Sequence, residues 1–163
     1  MKPNQLTEEE KGFLEMAIEL SRQGMSKGDG GPFGCVIVHK GKVIGEGCNR
    51  VTSTNDPTAH AEVVAIRNAC EQLGNYQLTD CDVYTSCEPC PMCLGAIYWA
   101  RPRRVIFANT RTDAAGIEFD DDFIYQEINT DPGERKIPFL HVPHPAAAKV
   151  FEEWREWEGK KLY

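Results

Sequence analysis

Three of the seven cysteines fall within seven residues, in the string CEPCPMC at 87–93, and the triplet His60-Ala61-Glu62 stands thirty residues before Cys90. Cys90 and Cys93 are three apart, so at the start of a helix both thiols project from one side of its first turn. A helix N-terminus favours thiolate, the form a metal needs. Pro89 and Pro91 suit a first turn whose N–H groups have no helical partner. Taken alone, the C-x-x-C pair is also the signature of a redox dithiol. His60 changes that reading. One helix start offering His and another offering two thiols supply N, S and S, three protein ligands for a tetrahedral zinc with the fourth position left for water. Ligation by Cys87 as well would close the site and make it structural. Its place at the end of a strand, outside the turn that carries the other two, favours three ligands with Cys87 packed nearby. Cys35, Cys48, Cys70 and Cys81 read as small buried residues. Glu62 points to catalysis, because a hydrolytic site needs a base to take a proton from water; the plainer reading is a carboxylate placed at the positive end of its helix. Residues two apart on an ideal helix face about 200° apart around its axis. Periodicity alone therefore does not bring His60 and Glu62 to one site.

The elements that must position these groups are legible in outline. TEEEKGFLEMAIELSRQG reads as a first helix, with Thr7 and Glu10 forming a capping box, Leu14, Ala17, Ile18 and Ser21 on one face, and Gly24 as its end. CVIVHK and KVIGEGCN, split at Lys40-Gly41, predict a β-hairpin. Asp56-Pro57 opens a helix that runs through AHAEVVAIRNACEQLG, with Pro57 at its first position. CDVYTS (81–86) is a strand that ends at the cysteine cluster, and CPMCLGAIYWA (90–100) is the next helix. VIFAN (105–109) predicts a strand, DDDFIYQEI a helix, IPFLHV a final strand and AAAKVFEEWREWEGKK a terminal helix. Strands alternating with helices after an opening hairpin predict an α/β fold, a mixed sheet covered on both faces. Ligands in such sheets sit at the carboxyl ends of strands, where the cluster falls.

The totals bound the rest. A chain of 163 residues, 41% hydrophobic and 26% charged, builds one good core as a single domain, 1–163. MKPNQLTEEEKGFLEM has no apolar signal core, and no run approaches the roughly 20 apolar residues of a membrane span. The expectation is a cytoplasmic protein with no membrane partner, in a compartment where thiols stay reduced. The net charge of −7 repels phosphate backbones, and RPRR and GKK are too short to make a basic patch, so nucleic acid is not an expected partner.

His60-Ala-Glu62 followed by Pro89-Cys90-Pro-Met-Cys93 resembles the H-x-E…P-C-x-x-C signature of the zinc-dependent cytidine deaminase-like superfamily. Within it, GGPFG, NDPTAHAEVVAIRNAC, TSCEPCPMCLGAIYWARP and TDAAGIEFDDDFIYQEI resemble bacterial guanine deaminases, a likeness running from about residue 7 to Tyr163. The resemblance implies a three-layer α/β/α fold with a central five-stranded mixed sheet. It implies one Zn2+ per chain on His60, Cys90 and Cys93, with Glu62 as the catalytic proton carrier and hydrolysis of guanine to xanthine and ammonia as the reaction. Asn49 is then expected to hydrogen-bond the purine, Phe33 to pack on the base, and Asp121 to contact the purine. Tyr163 is expected to close the site from a neighbouring subunit, in a homodimer exchanging a C-terminal segment of about 145–163. On the residues alone, Asn49 is a turn residue, Phe33 ordinary core, Asp120 to Asp122 a helix-start charge run, and Tyr163 merely terminal. Trp99 fits a pocket wall or the core. The alternatives are a relative acting on guanosine, cytosine, a triazine or tRNA adenosine, and a zinc-stabilised binding module in which Cys87 ligates and Glu62 is idle.

Overall fold

The structure is a computed structural model that describes residues 6–163. It divides into two units, the first ending at Asp121 and the second spanning Asp122–Tyr163. The first unit begins with helix α1 (Glu8–Lys27), where Thr7 Oγ1 accepts from the Glu10 N–H and Glu10 Oε2 accepts from the Thr7 N–H, the expected capping box. The helix does not stop at Gly24. It runs on to a left-handed Gly28, and Gly24 is buried inside it. A Cβ at Gly24 would lie 2.8 Å from the Cβ of Cys48, so this glycine permits close packing rather than ending the helix.

Strands β1 (Gly34–His39) and β2 (Lys42–Cys48) form the expected hairpin. Lys40 and Gly41 both have positive φ, 50° and 76°, the pair that a tight two-residue turn demands. A short helix α2 (Val51–Thr54) precedes α3 (Ala61–Leu73). Then come β3 (Cys81–Cys87), α4 (Pro91–Ala100), β4 (Arg104–Asn109) and a one-turn helix α5 (Arg111–Ala115). The sheet order is β2-β1-β3-β4, with β1 antiparallel to both its neighbours and β3 parallel to β4.

Alternation along β1 divides the core into two halves. Val36 and Val38 turn to one face with Tyr84, against Ala17 of α1. Cys35 and Ile37 turn to the other with Val83, against Ala61, Ala65 and Ala69 of α3 and Ala100 of α4. The sheet of this unit is thus the middle of three layers. The seat of α3 is unusually close. A Cβ at Gly47 would meet the Ala61 carbonyl oxygen at 2.3 Å, and one at Gly45 the Ala65 carbonyl oxygen at 2.5 Å. Glycine on the strand and alanine on the helix let backbone rest on backbone, which fixes the first turn of α3.

The sheet has four strands among the described residues, not five. Residues 137–142, the expected final strand, form no strand: Ile137 lies in a bend and the rest have no regular structure. Pro138 withholds a ladder donor, Pro143 and Pro145 follow closely, and Leu140 and Val142 are exposed. The second unit holds α6 (Asp122–Ile128), a 3-10 turn at Pro132–Glu134 and α7 (Pro145–Glu156). His144 caps α7 by accepting from the Ala146 N–H, and the rings of Trp154 and Trp157 pack 5.3 Å apart.

Candidate metal centre

Helix α3 starts at Ala61, not at Asp56-Pro57. Asp56 Oδ1 accepts from both the N–H and the hydroxyl of Thr58, at 2.8 and 2.7 Å, and that local turn holds Pro57 outside the helix. His60 consequently occupies the N-cap, with extended backbone (φ −70°, ψ 155°). A residue there has extended backbone and is not bound by helical periodicity, and the His60 ring makes no capping bond to its own helix. His60 and Glu62, at the second helical position, thus reach one place. Helix α4 repeats the device: Cys90 is the extended N-cap (φ −64°, ψ 168°), Pro91 opens the helix and Cys93 is its third residue.

His60 Nδ1 lies 3.5 Å from Cys90 Sγ and 3.6 Å from Cys93 Sγ. The three ligand atoms all fall within 4.8 Å of one another. Tetrahedral zinc with its usual bond lengths to nitrogen and sulfur requires N to S separations of about 3.6 Å. The donor set and its spacing fit zinc. The Cys90 thiol is pulled down to about 4 because the Cys93 thiol and then His60 hydrogen-bond to it, against the effect of burial. Cys93, giving up that hydrogen bond in a buried place, is pushed up, and contact with Cys90 raises His60. Cysteine binds a metal as thiolate, so metal binding at this cluster releases thiol protons.

Glu62 is only 5% exposed. Its Oε1 accepts from Thr85 Oγ1 at 3.2 Å, and its Oε2 lies 3.3 Å from Cys93 Sγ. Burial lifts its carboxyl above the ordinary value, so it can hold a proton as well as accept one. Cys87 lies apart from the ligand atoms. Its thiol donates to the Thr110 carbonyl at 3.6 Å, and burial pushes it up to about 11. Among the described residues the ligand cluster is His60, Cys90 and Cys93, which leaves a fourth position open.

Asn49 is buried directly after β2. Its N–H donates to the Phe33 carbonyl at 3.0 Å, and its Oδ1 accepts from the Val51 N–H at 3.2 Å. Phe33 is partly buried and meets Phe119 edge-on, ring centroids 4.9 Å apart. Asp121 ends the first unit, its carboxyl raised by burial and then by the Cys90 thiolate. Trp99 is 63% exposed on α4 and so does not belong to the core. Tyr163 ends the second unit, also exposed. Two contributors escaped the sequence reading. Phe119 is the first residue of FDDDF, whose three carboxylates dominate the pattern, and Thr85 lies inside CDVYTS, where a β-branched residue is ordinary.

Comparison with known proteins gives a consistent set of likenesses. The profile of the cytidine and deoxycytidylate deaminase zinc-binding region matches residues 7–109. A guanine deaminase from Bacillus subtilis is 58% identical over 151 residues, covering 93% of this chain and 97% of that protein. The X-ray structure of a guanine deaminase from that species superposes with a TM-score of 0.93 at 55% identity, over 97% of this chain and 99% of the other. A tRNA-specific adenosine deaminase from Aquifex aeolicus is 40% identical over 142 residues, 87% of this chain and 91% of its own.

Proposed function

The chain belongs to the cytidine and deoxycytidylate deaminase family, and from that premise we propose that it hydrolyses guanine to xanthine and ammonia with one zinc per chain. The likeness to a guanine deaminase over nearly the whole chain carries the choice of substrate. His60, Cys90 and Cys93 hold the zinc. Bound there, zinc supplies Lewis-acid activation of water, whose pKa it lowers from 15.7 to about 7.

The chain's own residues do the rest. Glu62 takes a proton from the attacking water and delivers it to a ring nitrogen of guanine as oxygen bonds to C2. It then carries the second proton to the exocyclic nitrogen, the C2–N bond breaks, and ammonia leaves with xanthine behind. A buried, raised carboxyl suits both transfers. Because Asn49 Oδ1 is engaged by Val51, its NH2 end is the one that donates to the purine. Phe33, braced by Phe119, packs on the base, and Asp121 contacts the purine. A net charge of −7 disfavours tRNA as the competing substrate. The ligand thiols must stay reduced, which suits the cytoplasm.

The second unit exposes Leu140, Val142, Phe151 and Leu162. Such apolar surface supports a homodimer in which a segment of about 145–163 crosses to the neighbour and Tyr163 closes the neighbour's site. No helix among the described residues is long and apolar enough to cross a membrane. A screen of purines, pyrimidines and tRNA for ammonia release tests the reaction. Guanine should yield xanthine in the absorbance spectrum while cytosine and adenine react poorly. Turnover of tRNA or cytidine with guanine ignored would overturn the assignment.

A further inference from the structure

The buried hydroxyl of Thr85 has a single proton and two acceptors within reach: Glu62 Oε1 at 3.2 Å and the Gly34 carbonyl at 3.4 Å. Thr85 is 1% exposed, so no bulk water competes for that proton. Glu62 has two further polar neighbours, the Cys93 thiol against Oε2 and its own backbone N–H. Thr85 is the hydroxyl donor to the carboxylate, and it holds Oε1, while Oε2 is the oxygen beside the ligand sulfur. A buried carboxylate without a fixed donor turns about its terminal torsion, which is broad and roughly two-fold.

We propose that Thr85 is a positioning residue: its hydroxyl anchors Glu62 Oε1, fixing the carboxylate so that Oε2 faces the water and the purine. Thr85 sits on β3 opposite Cys35 of β1, whose first residue, Gly34, also donates its N–H to Ser86 Oγ at 3.0 Å. The same strand end therefore ties the proton carrier to the chain segment that bears Phe33. This role rests on the deaminase reading above. It requires Thr85 to act on proton transfer, with neither the ligands nor the base as its target.

Thr85→Val keeps the shape and loses the hydroxyl; Thr85→Ser keeps the hydroxyl. With the zinc-loaded enzyme, Thr85→Val should lower kcat about 10- to 100-fold, the usual effect of losing a supporting contact. KM should stay within about two-fold and Thr85→Ser should recover most of the rate. Zinc affinity, measured by chelator competition, should differ by less than about three-fold between parent and both variants, since Thr85 touches no ligand. A kcat for Thr85→Val within two-fold of the parent overturns the proposal, as does an equal loss in Thr85→Ser or a loss confined to KM. Should Thr85→Val fail to fold or to hold zinc, Thr85→Ala is read by the same criteria; if it fails likewise while Thr85→Ser does not, the hydroxyl serves the fold and the proposal is wrong. A parent enzyme inactive on guanine would instead overturn the substrate assignment, and the comparison would pass to whichever base it deaminates.

Discussion

Glu62 touches a ligand sulfur without being a ligand, which separates its chemistry from metal binding. Glu62→Gln is nearly isosteric and keeps an oxygen for Thr85, so zinc content and melting temperature should match the parent. Losing the proton carrier should lower kcat by at least the 10²–10⁴-fold typical of general acid–base catalysis. Rates within a few-fold of the parent would show that the proton takes another route. The cysteines divide in the same way. Cys90→Ser removes a ligand sulfur, and both zinc and activity should go, whereas Cys87→Ser, whose thiol faces the Thr110 carbonyl, should retain both. Metal analysis of the purified variants decides it; zinc lost from Cys87→Ser would mean a closed, structural site. His60, Cys90 and Cys93 were legible because only a few residue types bind zinc and their spacing at two helix starts was visible. The approach of Glu62 was not, because the N-cap depends on the Asp56 and Thr58 turn. A helix begun at Pro57 would put His60 inside it, where Glu62 faces away.

Two elements carry the ligands, and the seat of α3 on β2 sets where His60 begins. A methyl at residue 47 would have to share space with the Ala61 carbonyl, backbone on both sides, with no flexible side chain to yield. Gly47→Ala should destabilise by about 1–3 kcal/mol. Each kcal/mol is worth roughly 2–4 °C of melting temperature in a chain of this size. Zinc affinity should fall too, since the displaced turn carries a ligand. Gly12, inside α1 with open space around its Cβ position, is the control: Gly12→Ala should stabilise by about 0.5–1 kcal/mol and leave zinc alone. Equal behaviour of the two variants in calorimetry and zinc titration would dissolve the argument. Helix and strand types followed from periodicity and turn chemistry, and the hairpin at Lys40-Gly41 was the clearest of them. What periodicity could not see was close packing. Gly24 resembled a stop signal although its missing side chain makes room for Cys48. The apolar run at 137–142 had strand composition, but its prolines remove the donors a ladder needs.

At the scale of the whole molecule the open matter is where α7 spends its apolar face. Val150, Trp154 and Trp157 recur at helical spacing with Phe151 beside them, and all four are exposed, Phe151 by 77%. A stripe of this kind is made to be covered. In the homodimer proposed above, it docks on the partner and brings Tyr163 to the partner's zinc ligands, so no subunit would be complete alone. Complementation separates that arrangement from a tail folded back on its own chain. One chain carries Glu62→Ala with its tail intact, and the other keeps Glu62 but lacks residues 150–163. Each alone should be nearly inactive, the first for want of a proton carrier and the second for want of a lid. Unfolded together and refolded, they form mixed dimers containing one site with Glu62 from the second chain and a tail from the first. Activity approaching one site per mixed dimer is the expected result, with homodimers of each parent refolded alongside as blanks. Mixed dimers that form, hold zinc and stay inactive would mean that each tail closes its own subunit, and the exchange would have to be given up.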